Sequence, residues 1–102
     1  MSYQALDGPS AQVKLTSVGT STVVEVKVGA NPLAERQVIT MQPTGKMKVY
    51  FSDGSVPSAA TVLADGFDHF KDAKESYEVG EKQKVYILAD TGTIDVIICE
   101  RA

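Results

Sequence analysis

The chain has no tryptophan, one histidine and one cysteine, and its aromatic content is only 7%. Each scarcity excludes something. A lone Cys99 forms no internal disulfide, and in an apolar stretch it reads as a small buried hydrophobe rather than a reactive thiol. One histidine, His69, does not supply the several imidazoles of a cupin-type centre. Nor does it make, with Cys99 thirty positions away, a zinc set of regular spacing. Positive charge is also short: 10 basic against 13 acidic residues leave a net charge of −3, with the lysines dispersed. That distribution gives no field to gather phosphates, so no nucleic acid partner is expected. No apolar run approaches the roughly 20 residues of a spanning helix. The opening Met1 to Ser10 stretch lacks the basic and apolar regions of a signal peptide, so no membrane partner and synthesis in a cytoplasm are expected.

What remains is ordinary for a globular chain of 102 residues, 43% hydrophobic and 23% charged. That is enough for a single domain able to bury most of its apolar surface. Residues 1–10 are polar and contain Gly8-Pro9, and read as an extended N-terminal arm; residues 11–102 read as one domain. From Ala11 the pattern alternates with period two. Val13 and Leu15 lead through a Gly19-Thr20-Ser21 turn to Val24, Val26 and Val28, a first hairpin. Ile39, Met41 and Pro43 lead through Thr44-Gly45-Lys46 to Met47, Val49 and Phe51, a second hairpin pairing 41 with 49 and Thr40 with Tyr50. Lys84 to Ala102 reads as a third, in which Val85, Ile87 and Ala89 oppose Ile98, Val96 and Ile94 across Asp90-Thr91-Gly92-Thr93. Between them, Gly66 argues for short strands at 66–70 and 76–79, with a short helix at Ala59–Ala64 as the alternative. Together these patterns predict an all-β fold: a compact antiparallel β-sandwich or jelly-roll-like barrel of about seven or eight short strands, preceded by the arm.

The third hairpin is apolar on both faces. Its reverse side carries Tyr86, Leu88, Ile97 and Cys99, which a second sheet or a neighbouring chain must cover; these four are the candidate interface. No catalytic, cofactor-binding or metal-ligating set is expected. Asp65, Asp68, His69 and Asp72 lack the calcium-loop spacing and read as a solvated loop, and Glu75, Glu78 and Glu81 read as a charged sheet edge. There is no Gly-rich phosphate cradle and no nucleophile elbow, so an enzyme is not expected and no cofactor is implied. A small jelly-roll module binding glycans through Tyr50 or Tyr86 is the alternative of another class.

Arg36-Gln37-Val38-Ile39-Thr40-Met41-Gln42-Pro43-Thr44, Val49-Tyr50-Phe51, Gly66-Phe67, Gln83 to Ala89, Gly92 to Val96 and the closing Glu100-Arg101 together resemble small β-sandwich virion proteins of tailed bacteriophages. The resemblance spans most of Arg36 to Ala102. It implies a non-enzymatic structural subunit, decorating the capsid or forming part of the head-to-tail neck. Its partners would be further copies of itself and the major capsid or neck proteins, and its location the virion after synthesis in the host cytoplasm.

Overall fold

The computed structural model describes residues 8–102. Eight strands and one short helix follow in the order β1 (Ser10–Val18), β2 (Val24–Glu25), β3 (Val38–Pro43), β4 (Met47–Ser52), α1 (Ala59–Asp65), β5 (Phe67–His69), β6 (Glu75–Glu78), β7 (Lys84–Ala89) and β8 (Ile94–Arg101). They form two antiparallel four-stranded sheets, one ordered β1-β8-β3-β6 and the other β2-β7-β4-β5. This is the strand order of a jelly roll, and the two packed antiparallel sheets are the all-β sandwich that the alternating pattern predicts. Of the expected arm, residues 1–7 lie outside the described residues. Ser10 already pairs with Arg101, and the Ala102 amide donates to the Pro9 carbonyl at 3.0 Å.

The residues expected inside are inside. Ile39, Met41, Met47, Val49, Val85, Ile87, Ala89, Ile94, Val96 and Ile98 form one core between the sheets. Burying a side chain of this size contributes roughly 1.5–3 kcal/mol relative to leaving it in water.

The pairings expected for the three hairpins are not made. β1 and β2, β3 and β4, and β7 and β8 each belong to opposite sheets, so every one of these connections is an arch over the end of the sandwich. Ile87 pairs with Val49 and Val24, and Val96 with Leu15 and Pro43. Met41 pairs with Ile98 and Glu75, and Thr40 with Cys99 and Ser76. The physical reason is that a hairpin and an arch bury the same alternate residues. In the hairpin they lie side by side in one sheet; in the arch they meet across the interior.

Both readings of residues 59–79 hold in sequence. Ser58 caps α1, its hydroxyl accepting from the Thr61 amide at 3.1 Å, and Gly66 ends it, donating to the Val62 carbonyl at 2.9 Å. A Cβ at Gly66 would stand 2.5 Å from that carbonyl and 3.1 Å from the Val49 carbonyl, so the turn from helix into β5 closes only on glycine. α1 packs across β4 and β7 on the outside of their sheet, and its Val62 is fully buried there.

Candidate interaction surface

The helix divides the four candidate interface residues. Tyr86 and Leu88 point to the outside of the β2-β7-β4-β5 sheet, where they are 3% and 0% exposed. Leu88 pairs with Lys48, against which the C-terminus of α1 is seated, so this chain covers that side itself. Ile97 and Cys99 lie on the outside of the other sheet, because β8 is not a ladder partner of β7. Ile97 is 42% exposed and Cys99 is half-buried. The four residues therefore do not form one surface. The correction has the same cause as the hairpins: an arch turns the reverse faces of its two strands away from each other.

Around Ile97 and Cys99 the ladder builds a regular outer face. Gln12, Cys99, Thr40 and Ser76 stand in one row across the four strands, and Lys14, Ile97 and Gln42 in the next. Thr40 and Ser76 share a hydroxyl hydrogen bond of 2.8 Å, and Gln42 donates to the Asp72 carbonyl at 3.1 Å. A depression of about 420 Å³ runs over this face, floored by Cys99 and Ile97. Lined by polar side chains, Lys74 and Arg101 among them, around the exposed apolar Ile97, it is suited to lie against another surface rather than to enclose a small molecule.

Two polar centres are buried in the fold. Arg36 and Glu100 are 2% and 0% exposed and form an ion pair of 2.6 Å. Alternation along β8 sends residues 94, 96, 98 and 100 inward, so the Glu100 carboxylate is carried into the end of the core and demands a donor set. Glu100 Oε1 accepts the Val28 amide at 2.5 Å and Oε2 accepts Arg36 Nη1. The rest of the guanidinium donates to the carbonyls of Val26, Val79, Gly80 and Gln83 at 2.8–3.3 Å. All five guanidinium N–H groups are thus spent within the chain, leaving none for a ligand. Nothing local in the sequence pairs Arg36 with Glu100, and the one signal of the buried centre is a carboxylate at the fourth inward position of an apolar strand.

His69 corrects the expectation of a solvated loop. It is fully buried at the end of β5, whereas Asp65, Asp68 and Asp72 around it are exposed. Its Nε2–H donates to the Ala73 carbonyl at 2.7 Å, which leaves Nδ1 to accept the Tyr77 hydroxyl at 2.8 Å. Glu75 Oε2 stands 3.5 Å from that hydroxyl and 3.6 Å from Nδ1. Burial, and then the neighbouring Glu75 carboxylate, push the Tyr77 phenol up to about 12. The imidazole bridges the edges of the two sheets, β5 and β6. As expected, Glu75 and Glu78 decorate that exposed edge. Lys48 and Asp68 pair across β4 and β5, and the lysine holds the Asp68 carboxyl below the usual carboxylate range.

Among the described residues the exposed aromatic rings are Phe67 and Phe70, whereas Tyr50, Tyr77 and Tyr86 are half-buried or buried. Phe67 leans on Phe51 with ring centres 5.9 Å apart, and the Lys46 ammonium lies 5.7 Å over Phe70.

No protein-family model matches the chain, and no curated protein matches it. Among solved structures, the fold is similar to the coat protein of tobacco streak virus in a C2 crystal form. The identity there is 12%, the match covers 99% of this chain and 90% of that one, and the TM-score is 0.48. It is similar to the dimer of the same coat protein at 13% identity, covering 89% and 86%, with a TM-score of 0.43. A Bacillus endospore appendage protein, from a family of disulfide-linked pili, gives 13% identity, coverage of 99% and 94%, and a TM-score of 0.46.

Proposed function

We propose that the chain is a non-enzymatic structural subunit of a tailed-phage particle, decorating the capsid or forming part of the head-to-tail neck through repeated association of its copies. One observation carries the reading beside the sequence resemblance. The buried ionisable groups Arg36, Glu100 and His69 are consumed in hydrogen bonds that tie one part of the chain to another. Besides the exposed rings of Phe67 and Phe70, the molecule offers sheet outward: the row containing Ile97 and Cys99 and, among the described residues, the free side of β1. Ile97 and Cys99 are the part of the candidate interface available to a neighbour. Jelly rolls also serve lectins and cupin enzymes, so the architecture alone does not choose between roles. A glycan-binding reading through Tyr86 loses its residue, which lies under the sheet's own covering.

Mass spectrometry of purified particles tests the proposal. The chain is expected in stoichiometric copies, hundreds per particle for a shell lattice and about a dozen for a neck ring. Its presence in infected-cell lysate but not in purified particles would refute it.

A further inference from the structure

Among the described residues, nothing pairs with the free sides of the four outermost strands, β1, β2, β5 and β6. Three of these edges are blunted by being short, with β2 two residues, β5 three and β6 four, the last flanked by Glu75 and Glu78. β1 is nine residues long, and Lys14 is its one charge. Its core-facing side chains Ala11, Val13 and Leu15 stay half-buried, because the strand at that edge of the facing sheet, β2, is only two residues long. The direction of its free hydrogen bonds is also fixed. The Ala102 amide bonds the Pro9 carbonyl, and the 9–102 pair continues the register of 11 with 100 and 13 with 98. Odd-numbered residues therefore bond to β8, and Ser10, Gln12 and Lys14 turn their N–H and C=O groups to the open side.

We infer that β1 is a homodimer edge: two copies pair it antiparallel about a two-fold axis through Val13, joining their β1-β8-β3-β6 sheets into one of eight strands. An isologous pairing through the even-numbered residues allows few registers. Centring on Lys14 sets two ammonium groups opposite each other, which is unfavourable. Centring on Val13 sets each Gln12 opposite the partner's Lys14, each Ala11 opposite the partner's Leu15, and Val13 opposite the partner's Val13. Polar residues then meet polar ones on the outer face, and the half-exposed apolar residues cover one another on the core side. The bulge at Ser17, with φ 58°, ends the pairing beyond Thr16.

The inference rests on the part of the proposed function in which copies associate, and the test separates the two. Sedimentation of the full chain over a concentration series is expected to show a monomer–dimer equilibrium. Gln12→Glu, which faces the partner's Lys14 twice per dimer, should tighten it roughly tenfold, and Gln12→Lys should weaken it roughly tenfold. In a Cys99→Ser background, Val13→Cys should cross-link on mild oxidation, since residues opposed without hydrogen bonds lie about 4.5 Å apart, within disulfide reach. Leu15→Cys should not cross-link. A monomer at every concentration overturns both this pairing and the self-associating subunit. An oligomer whose stability ignores both Gln12 variants, and in which folded Val13→Cys does not cross-link, overturns the pairing alone.

Discussion

Glu100 shows how one residue can organise several loops. Its carboxylate and the Arg36 guanidinium gather the backbone at residues 26, 28, 79, 80 and 83 around a single charged contact. Removing one partner strands the other charge in the core. Arg36→Ala is accordingly expected to cost roughly 3–5 kcal/mol in chemical denaturation. Replacing both residues at once, as Arg36→Met with Glu100→Leu, should cost clearly less than the sum of the two single changes. Tyr77 provides a pH signature. Its phenol titrates at about 12 when folded and near the ordinary value of 10.0 when unfolded. Between those values the unfolded state has released a proton that the folded state keeps, so stability falls as pH rises from about 10 to 12. Tyr77→Phe should flatten that decline, and absorbance titration of the native protein should show one phenol ionising late.

At the scale of elements, the alternating pattern identified nearly every inward side chain, from Ile39 and Met41 to Val96 and Ile98, and it placed the turns. It did not identify the ladder partners. Ile87 and Val96 are both buried whether they neighbour each other in a sheet or face each other across the core, and the four residues between their strands permit either course. The distinction depends on strands distant in sequence, such as β1 with β8, whose pairing leaves no local trace. The same blindness misplaced Tyr86 and Leu88, since their cover is α1, some twenty residues upstream. His69 was misjudged because a lone histidine among aspartates looks solvated until β6 brings Tyr77 over it. A paired substitution separates the two outer faces. Leu88→Asp buries an unpaired carboxylate beneath α1 and is expected to lower stability by several kcal/mol, whereas Ile97→Asp should cost about 1 kcal/mol or less. Denaturation curves of both variants, with circular dichroism to confirm folding, would check the contrast. Gly66→Ala should be destabilising as well, because its methyl group meets the Val62 and Val49 carbonyls.

For the whole molecule, topology governs kinetics. β4 with β5 is the pair of consecutive strands that shares a ladder; every other ladder joins strands separated by at least one crossing of the core. Such a fold closes large loops before its contacts repay the entropy, so stopped-flow refolding is expected in milliseconds to seconds rather than microseconds. The Arg36 clasp joins residues from four stretches of chain and is expected to form late, so Arg36→Ala should mainly accelerate unfolding and leave the refolding rate nearly unchanged.

The arches also decide what happens to a cut chain. Because every pair of successive strands except β4 and β5 crosses from one layer to the other, a break in the loop from β2 to β3, for example, does not separate one sheet from the other. It leaves two fragments laced through each other, each supplying strands to both layers. A nicked molecule should therefore travel as a single particle in native gel filtration and come apart only in denaturant. Neither fragment has a complete layer of its own, so expressed separately each should be insoluble, and expressed together they should reassemble.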